Sequence, residues 1–298
     1  MSDTLIREPV GVEVPASPTA PPTRTAGRDV LVAVRRSWAL ALSAVVLSVA
    51  VGFALFPSFF ASGDPLQGVP ADKLQGPSLA HWFGTDNIGR DVYTRVVHGA
   101  ALSLTATLLA VGIALVVGSL VGLLSGAVGG ALDAVLMRIV DVLLSIPALL
   151  LSLALVTALG FGTVNVAIAV GVGLVANFAR VMRSEVLRVR RAQYVEAAFA
   201  SGVRWHTVLR RHVLRNAYAP VIALAAVEFG MAVLAVSSLS FLGFGAVPPT
   251  PEWGSLISEG RNYLATAWWM TTLPGLVIVA VVLAAHRIGH TIDHRSRR

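Results

Sequence analysis

The sequence contains no cysteine, which excludes a disulfide framework and any thiolate-bound metal. Lysine is almost as scarce, Lys73 being the only one among 23 basic residues. A Walker A loop needs lysine in the frame G-x-x-x-x-G-K-[ST], and Lys73 stands in ADKLQG. The chain therefore lacks such a loop, and energy for any pumping must come from elsewhere. Charge is thin overall: 13% of residues are charged, where soluble domains carry about 25%. Absent too are a Ser-His-Asp arrangement, a paired-carboxylate motif and HExxH, so nothing argues for an enzyme active site. No repeat of ~20–50 residues and no clear inverted halves point to a secondary transporter.

What remains is apolar. Hydrophobic residues make up 55% and mean hydropathy is +0.75, the composition of a polytopic membrane protein. Residues 1–30 (VEVPASPTAPPTRTAG within them) lack periodicity and are expected to be a disordered tail. The first apolar run begins near Trp38, too late and too long for a signal peptide. From Trp38 to Phe60 it covers ~23 residues, ~35 Å as a helix, enough to span with some tilt. After a polar loop come apolar stretches at about Ala100–Val128, Ala131–Leu159, Thr163–Met182, Ala217–Phe244 and Trp268–Ala285. Six spans are predicted. Gly118, Gly122 and Gly126 form a small-residue stripe suited to close helix packing.

With the N-terminus inside, all but four of the 23 basic residues fall on the cytoplasmic side; Lys73, Arg90, Arg95 and Arg261 fall outside. The positive-inside rule thus places both termini and the Tyr194–Asn216 loop in the cytoplasm. It also accounts for the net charge of +7 without invoking nucleic acid.

That loop, YVEAAFASGVRWHTVLRRHVLRN, is a basic amphipathic island between two apolar blocks. Trp205, Val208, Leu209, His212 and Val213 follow i, i+3, i+4, i+7, i+8 spacing, one helix face. Gly202 fits a helix C′ position, where a left-handed residue turns the chain without a Cβ penalty. The expectation is two short helices around a turn, with Arg204, Arg210, Arg211 and Arg215 on the wet side. Such an element suits docking to another protein; the plainer alternative is a helix lying on lipid head groups.

Charges within spans suggest function. Arg138 and Asp141 lie i, i+3 on one face of the third span and are placed to neutralise each other, with a gating role as the alternative. Glu228 sits mid-span, either lining a pathway or as a buried hydrogen-bonding carboxyl. His286, His290 and His294 recur every four residues, at metal-ligand spacing. A polar helix end explains them better, since cations favour a helix C-terminus, and no metal site is assigned.

Glu196-Ala197-Ala198, three residues, then Gly202 resembles the EAA loop of ABC-importer permeases. Leu214 matches that family's continuation, and Arg215 stands where its proline is expected. HWFGTDNIGRDVYTRVVHGA (81–100), MRIVDVLLSIPALLL and SFLGFGAVPPTPEWGSLISEG (240–260) resemble the C-type subunit of dipeptide/oligopeptide/nickel permeases, in the expected order. Val236 departs from an acidic residue common in relatives just before LSFLG.

The resemblance implies an all-α, six-span helix bundle of the ABC importer type I permease kind. Its parts are a tail at 1–30, a first span and external loop at 31–99, and a core at 100–298 with a coupling loop at 183–216. Glu196, Ala197, Ala198, Gly202, Arg204 and Trp205 would dock an ATPase subunit. Glu228, Arg138 and Asp141 are the pathway or gating candidates. The implied partners are a sister permease, two ATP-binding subunits, an extracytoplasmic substrate-binding protein and membrane lipid. ATP and Mg would be bound by those ATPase subunits and no cofactor by this chain. The implied location is the bacterial inner membrane, and the cargo a peptide, nickel, glutathione or another small solute. The competing reading is a stand-alone proton-coupled carrier or channel.

Overall fold

The computed structural model describes the backbone of residues 26–296, and side chains from 38 to 291 except Glu196, Phe199, Arg210 and His212. Helix α1 (Ala26–Leu55) begins inside the stretch expected to be a tail, because VLVAV carries the apolar pattern backwards from the span. Most of the predicted tail, residues 1–25, lies outside the described residues. The chain divides after Trp38 into two units; residues 26–38 are helical, and residues 39–296 carry the helix bundle.

A short α2 (Pro57–Phe60) follows α1, and a loop with one 3-10 turn leads to α3 (Val92–Val128). Helix α3 starts earlier than its apolar run, because Asp91 caps it by accepting a bond from the Thr94 N–H. Next come α4 (Gly130–Ser145) and α5 (Ala148–Leu159), then α6 (Thr163–Arg190). The loop helices are α7 (Gln193–Ala200) and α8 (Trp205–Val208), joined through a π-helical turn to α9 (Arg215–Phe241). The chain closes with α10 (Trp253–Gly260) and α11 (Trp269–Ser296). Among the described residues there is no strand.

Among the described residues, five helices are long and apolar enough to cross a membrane. The predicted third span is not one straight helix: α4 and α5 meet at 95° and make a sixth span only if taken together. Pro147 explains the break. It has no N–H to donate, and it drives Ile146 out of the helical region to φ −96°, ψ 129°.

The bundle is built around α3 against α6, its most extensive helix contact. The glycine stripe makes this possible. A Cβ on Gly118 would lie 2.5 Å from the Val175 carbonyl, and one on Gly122 2.8 Å from the Met182 Cβ. With only hydrogens there, the backbones interlock around Phe178 and Met182. Helix α9 lies against α6 and α11 and completes the buried core.

Candidate functional site

One end of the bundle carries the arginines of α6 and α8–α9. There α7 ends as its sequence dictates. Gly202 takes φ +78°, and the Val203 N–H returns to the Ala198 carbonyl at 3.2 Å. This is a Schellman-type stop, with Ala198 and Val203 packed beside the core. Val195, Val208 and Val213 are fully buried and seat the loop on the bundle. Ala197 and Arg204 face outward, Ala198 is half-buried, and the side chain of Glu196 lies outside the described residues. Trp205 is partly exposed, with the Arg190 guanidinium 5.2 Å from its ring centroid. The second predicted helix does not stand alone. It passes through the π turn Leu209–Leu214 straight into α9, so Arg215 continues the helix where a proline would interrupt it. His206, Thr207, Arg211 and Arg215 line an open basic groove of about 430 Å³ on this surface.

Helices α4 and α6 are tied by charges. Asp133 accepts two bonds from Arg183, both at 2.6 Å, and also pairs with the Ser125 hydroxyl of α3. Asp141 accepts from Arg180 of α6 at 2.7 Å. The expected Arg138–Asp141 pair is therefore corrected: an arginine on the facing helix takes the carboxylate instead. Arg138 and Asp141 both line a shallow groove of about 540 Å³ along α4. In the bundle interior Glu228 is buried and accepts a hydrogen bond from the Asn177 amide of α6 at 2.9 Å. His286 and His290 touch each other at 3.1 Å, while the side chain of His294 lies outside the described residues.

The opposite end holds residues that sequence reasoning left without a role. Asp86 folds the 84–91 loop by accepting the Ile88 and Arg90 N–H groups. Its other oxygen accepts from Arg90 Nε at 2.5 Å and Arg95 at 3.2 Å. Both arginines reach on to Glu259 of α10, at 2.9 Å for Arg90 and 2.5 Å for Arg95. Two acids and two arginines thus neutralise one another almost out of water. Removing one partner from a buried pair typically costs about 3–5 kcal/mol. The 240–260 segment holds the buried helix α10. Glu252 caps it through the Gly254 and Ser255 N–H groups. Ser103 of α3 donates to Glu252 at 3.0 Å, and the Trp253 indole donates to the Val96 carbonyl at 2.9 Å. Burial raises the Glu252 carboxyl above the ordinary carboxylate range against the pull of these donors. Its contribution to stability is thus greatest in acid and fades as pH rises through that raised value.

Residues 118–298 match the family described as "Binding-protein-dependent transport system inner membrane component". The chain belongs to that family. It is 36% identical over 245 residues to the dipeptide transport system permease protein DppC of Alkalihalophilus pseudofirmus, covering 82% of this chain and 81% of that one. Identity to the probable D,D-dipeptide transport system permease protein DdpC of Escherichia coli K12 is 38% over 251 residues, 84% of each chain. The glutathione transport system permease protein GsiD of Shigella flexneri is 40% identical over 256 residues, covering 86% and 84%. In fold, the chain is similar to an inward-facing structure of the MetNI methionine ABC transporter. That match has a TM-score of 0.56 at 18% identity and covers 68% of this chain and 97% of that one. As a binding-protein-dependent inner membrane component, the chain is a permease subunit of an ABC importer of the peptide family and works with other ABC components.

Proposed function

We propose that this subunit forms half of the pathway of an ATP-driven importer for short peptides or glutathione-like solutes. The observation that carries the reading is the α7–Gly202–α8 element: a reversal seated on the core by buried valines, with an arginine-bearing outer face. A lipid-bound helix has no need of that reversal, whereas a socket in another protein does. The reading puts this end and both termini in the cytoplasm of a bacterial inner membrane, by the positive-inside rule. Two ATPase subunits bind ATP and Mg there, and Glu196, Ala197, Ala198, Gly202, Arg204 and Trp205 belong to the docking element. A sister permease supplies the other half of the pathway, and a substrate-binding protein delivers cargo at the Asp86–Glu259 end. Closure of the ATPases on ATP moves the loop, and the spans alternate between inward and outward openings. Glu228 is the candidate pathway residue in this chain, with Arg138 and Asp141 at the groove on α4. The relatives' names support peptides and glutathione as cargo; nickel chelates fit the same class of permease.

Purification of tagged protein from its native membrane in mild detergent, followed by mass spectrometry, tests the assembly. Two P-loop ATPases and a second multi-span permease should accompany it. Recovery of this chain alone, stable and intact, would contradict the reading.

A further inference from the structure

We propose that Arg190 is the pin through which the α7–α8 loop moves α3 and α6, a positioning role that rests on the docking reading above. The last carbonyls of a helix have no partner within it. In α3, Gly129 N–H satisfies the Ser125 carbonyl at 3.0 Å, and of the three carbonyls that remain those of Gly126 and Ala127 face Arg190. Arg190 Nη1 donates to both, at 2.6 Å and 2.9 Å. Arg190 is the final residue of α6, so its charge also sits at the negative end of its own helix.

The same guanidinium faces the indole of Trp205, the first residue after the Gly202 reversal and its short exit. Cation–π contact holds such a pair together. One planar group thus joins the ends of α3 and α6 to the returning half of the loop. Among the described residues, two neighbouring arginines are engaged elsewhere. Arg183 is committed to Asp133 of α4, and Arg188 only to Glu185 on its own helix.

The consequence is mechanical. Gly118, Gly122 and Gly126 already lock α3 to α6, so a displacement of Trp205 reaches a pair of helices that can respond only as a unit. Lysine is a poor replacement. Its ammonium could still donate to the carbonyls, but it has no flat guanidinium face to lay against the ring.

The test uses the assembled transporter in liposomes, comparing Arg190→Lys, Trp205→Leu and the double variant with wild type, and Arg188→Ala as control. Three quantities are read: co-purification of the subunits, ATP hydrolysis, and solute taken up per ATP. Arg190→Lys should assemble and hydrolyse ATP, with uptake per ATP lowered at least about fivefold, and Trp205→Leu should lower uptake per ATP by a similar factor in the complex that does assemble. The double variant should be no worse than either, because one contact is lost, and Arg188→Ala should match wild type. Wild-type coupling in both single variants, additive losses, or collapse of the complex in both would overturn the pin. If the wild-type complex shows no ATP-driven uptake, it is the importer reading that fails.

Discussion

At the scale of single residues, Glu228 carries the clearest expectation. Its carboxylate is buried mid-span and takes one hydrogen bond from Asn177. Glu228→Gln keeps an oxygen for that amide and removes the charge. Normal amounts of assembled protein should therefore accompany a loss of uptake of about tenfold, equivalent to about 1.4 kcal/mol on the transport barrier. Glu228→Leu should in addition lower thermal stability by about 1–3 kcal/mol, since the Asn177 amide loses its partner. Uptake at the wild-type rate by Glu228→Gln would confine the residue to packing. Glu228 was legible in the sequence as a costly charge, but Asn177 was not, because a facing helix leaves no spacing signal. Asp141 teaches the same lesson. Sequence offers only neighbours on the same helix, such as Arg138, while the structure supplies Arg180 from α6.

Among elements, the α7–α8 reversal was legible because a positive φ has one inexpensive solution. Gly202 at φ +78° has open space around it, so backbone conformation alone limits substitution. A β-branched residue there costs roughly 1–2 kcal/mol or more, whereas asparagine tolerates the left-handed region. Gly202→Val should uncouple ATP hydrolysis from uptake and Gly202→Asn should stay close to wild type, measured as solute transported per ATP. Equal coupling in both would count against a rigid docking element. Other elements escaped the sequence for physical reasons. Hydropathy along DVLLSIPALLL registers apolar content but not direction, so the 95° bend at Pro147 read as one span. Helix α10 is only eight residues, too short for a periodic signal, and its cap Glu252 is held by Ser103 from a distant part of the chain. Asp91 as a cap was visible in principle, three residues before Thr94, but the apolar run drew the boundary to Ala100 instead.

For the whole molecule, two ends with different chemistry meet through one interlocked pair of helices. The Asp86–Arg90–Arg95–Glu259 cluster fastens α10 and the 84–91 loop to the start of α3. At the far end of α3 and α6, Arg190 and Trp205 hold the loop. An all-helical membrane bundle was available from hydropathy, and the family from four separated motifs that resemble it. The joining of these ends was not, since it depends on contacts between residues far apart in sequence, 64 positions for Arg190 with Gly126 and 164 for Arg95 with Glu259. The central claim is that this bundle is driven from its arginine-rich end by ATP. The most direct measurement is uptake of a labelled dipeptide into liposomes holding the purified complex, with binding protein outside, ATP inside and a protonophore present. The account predicts uptake that stops when ATP is withheld and persists when the proton gradient is collapsed. Uptake by this chain alone, driven by a proton gradient without ATP, would contradict it.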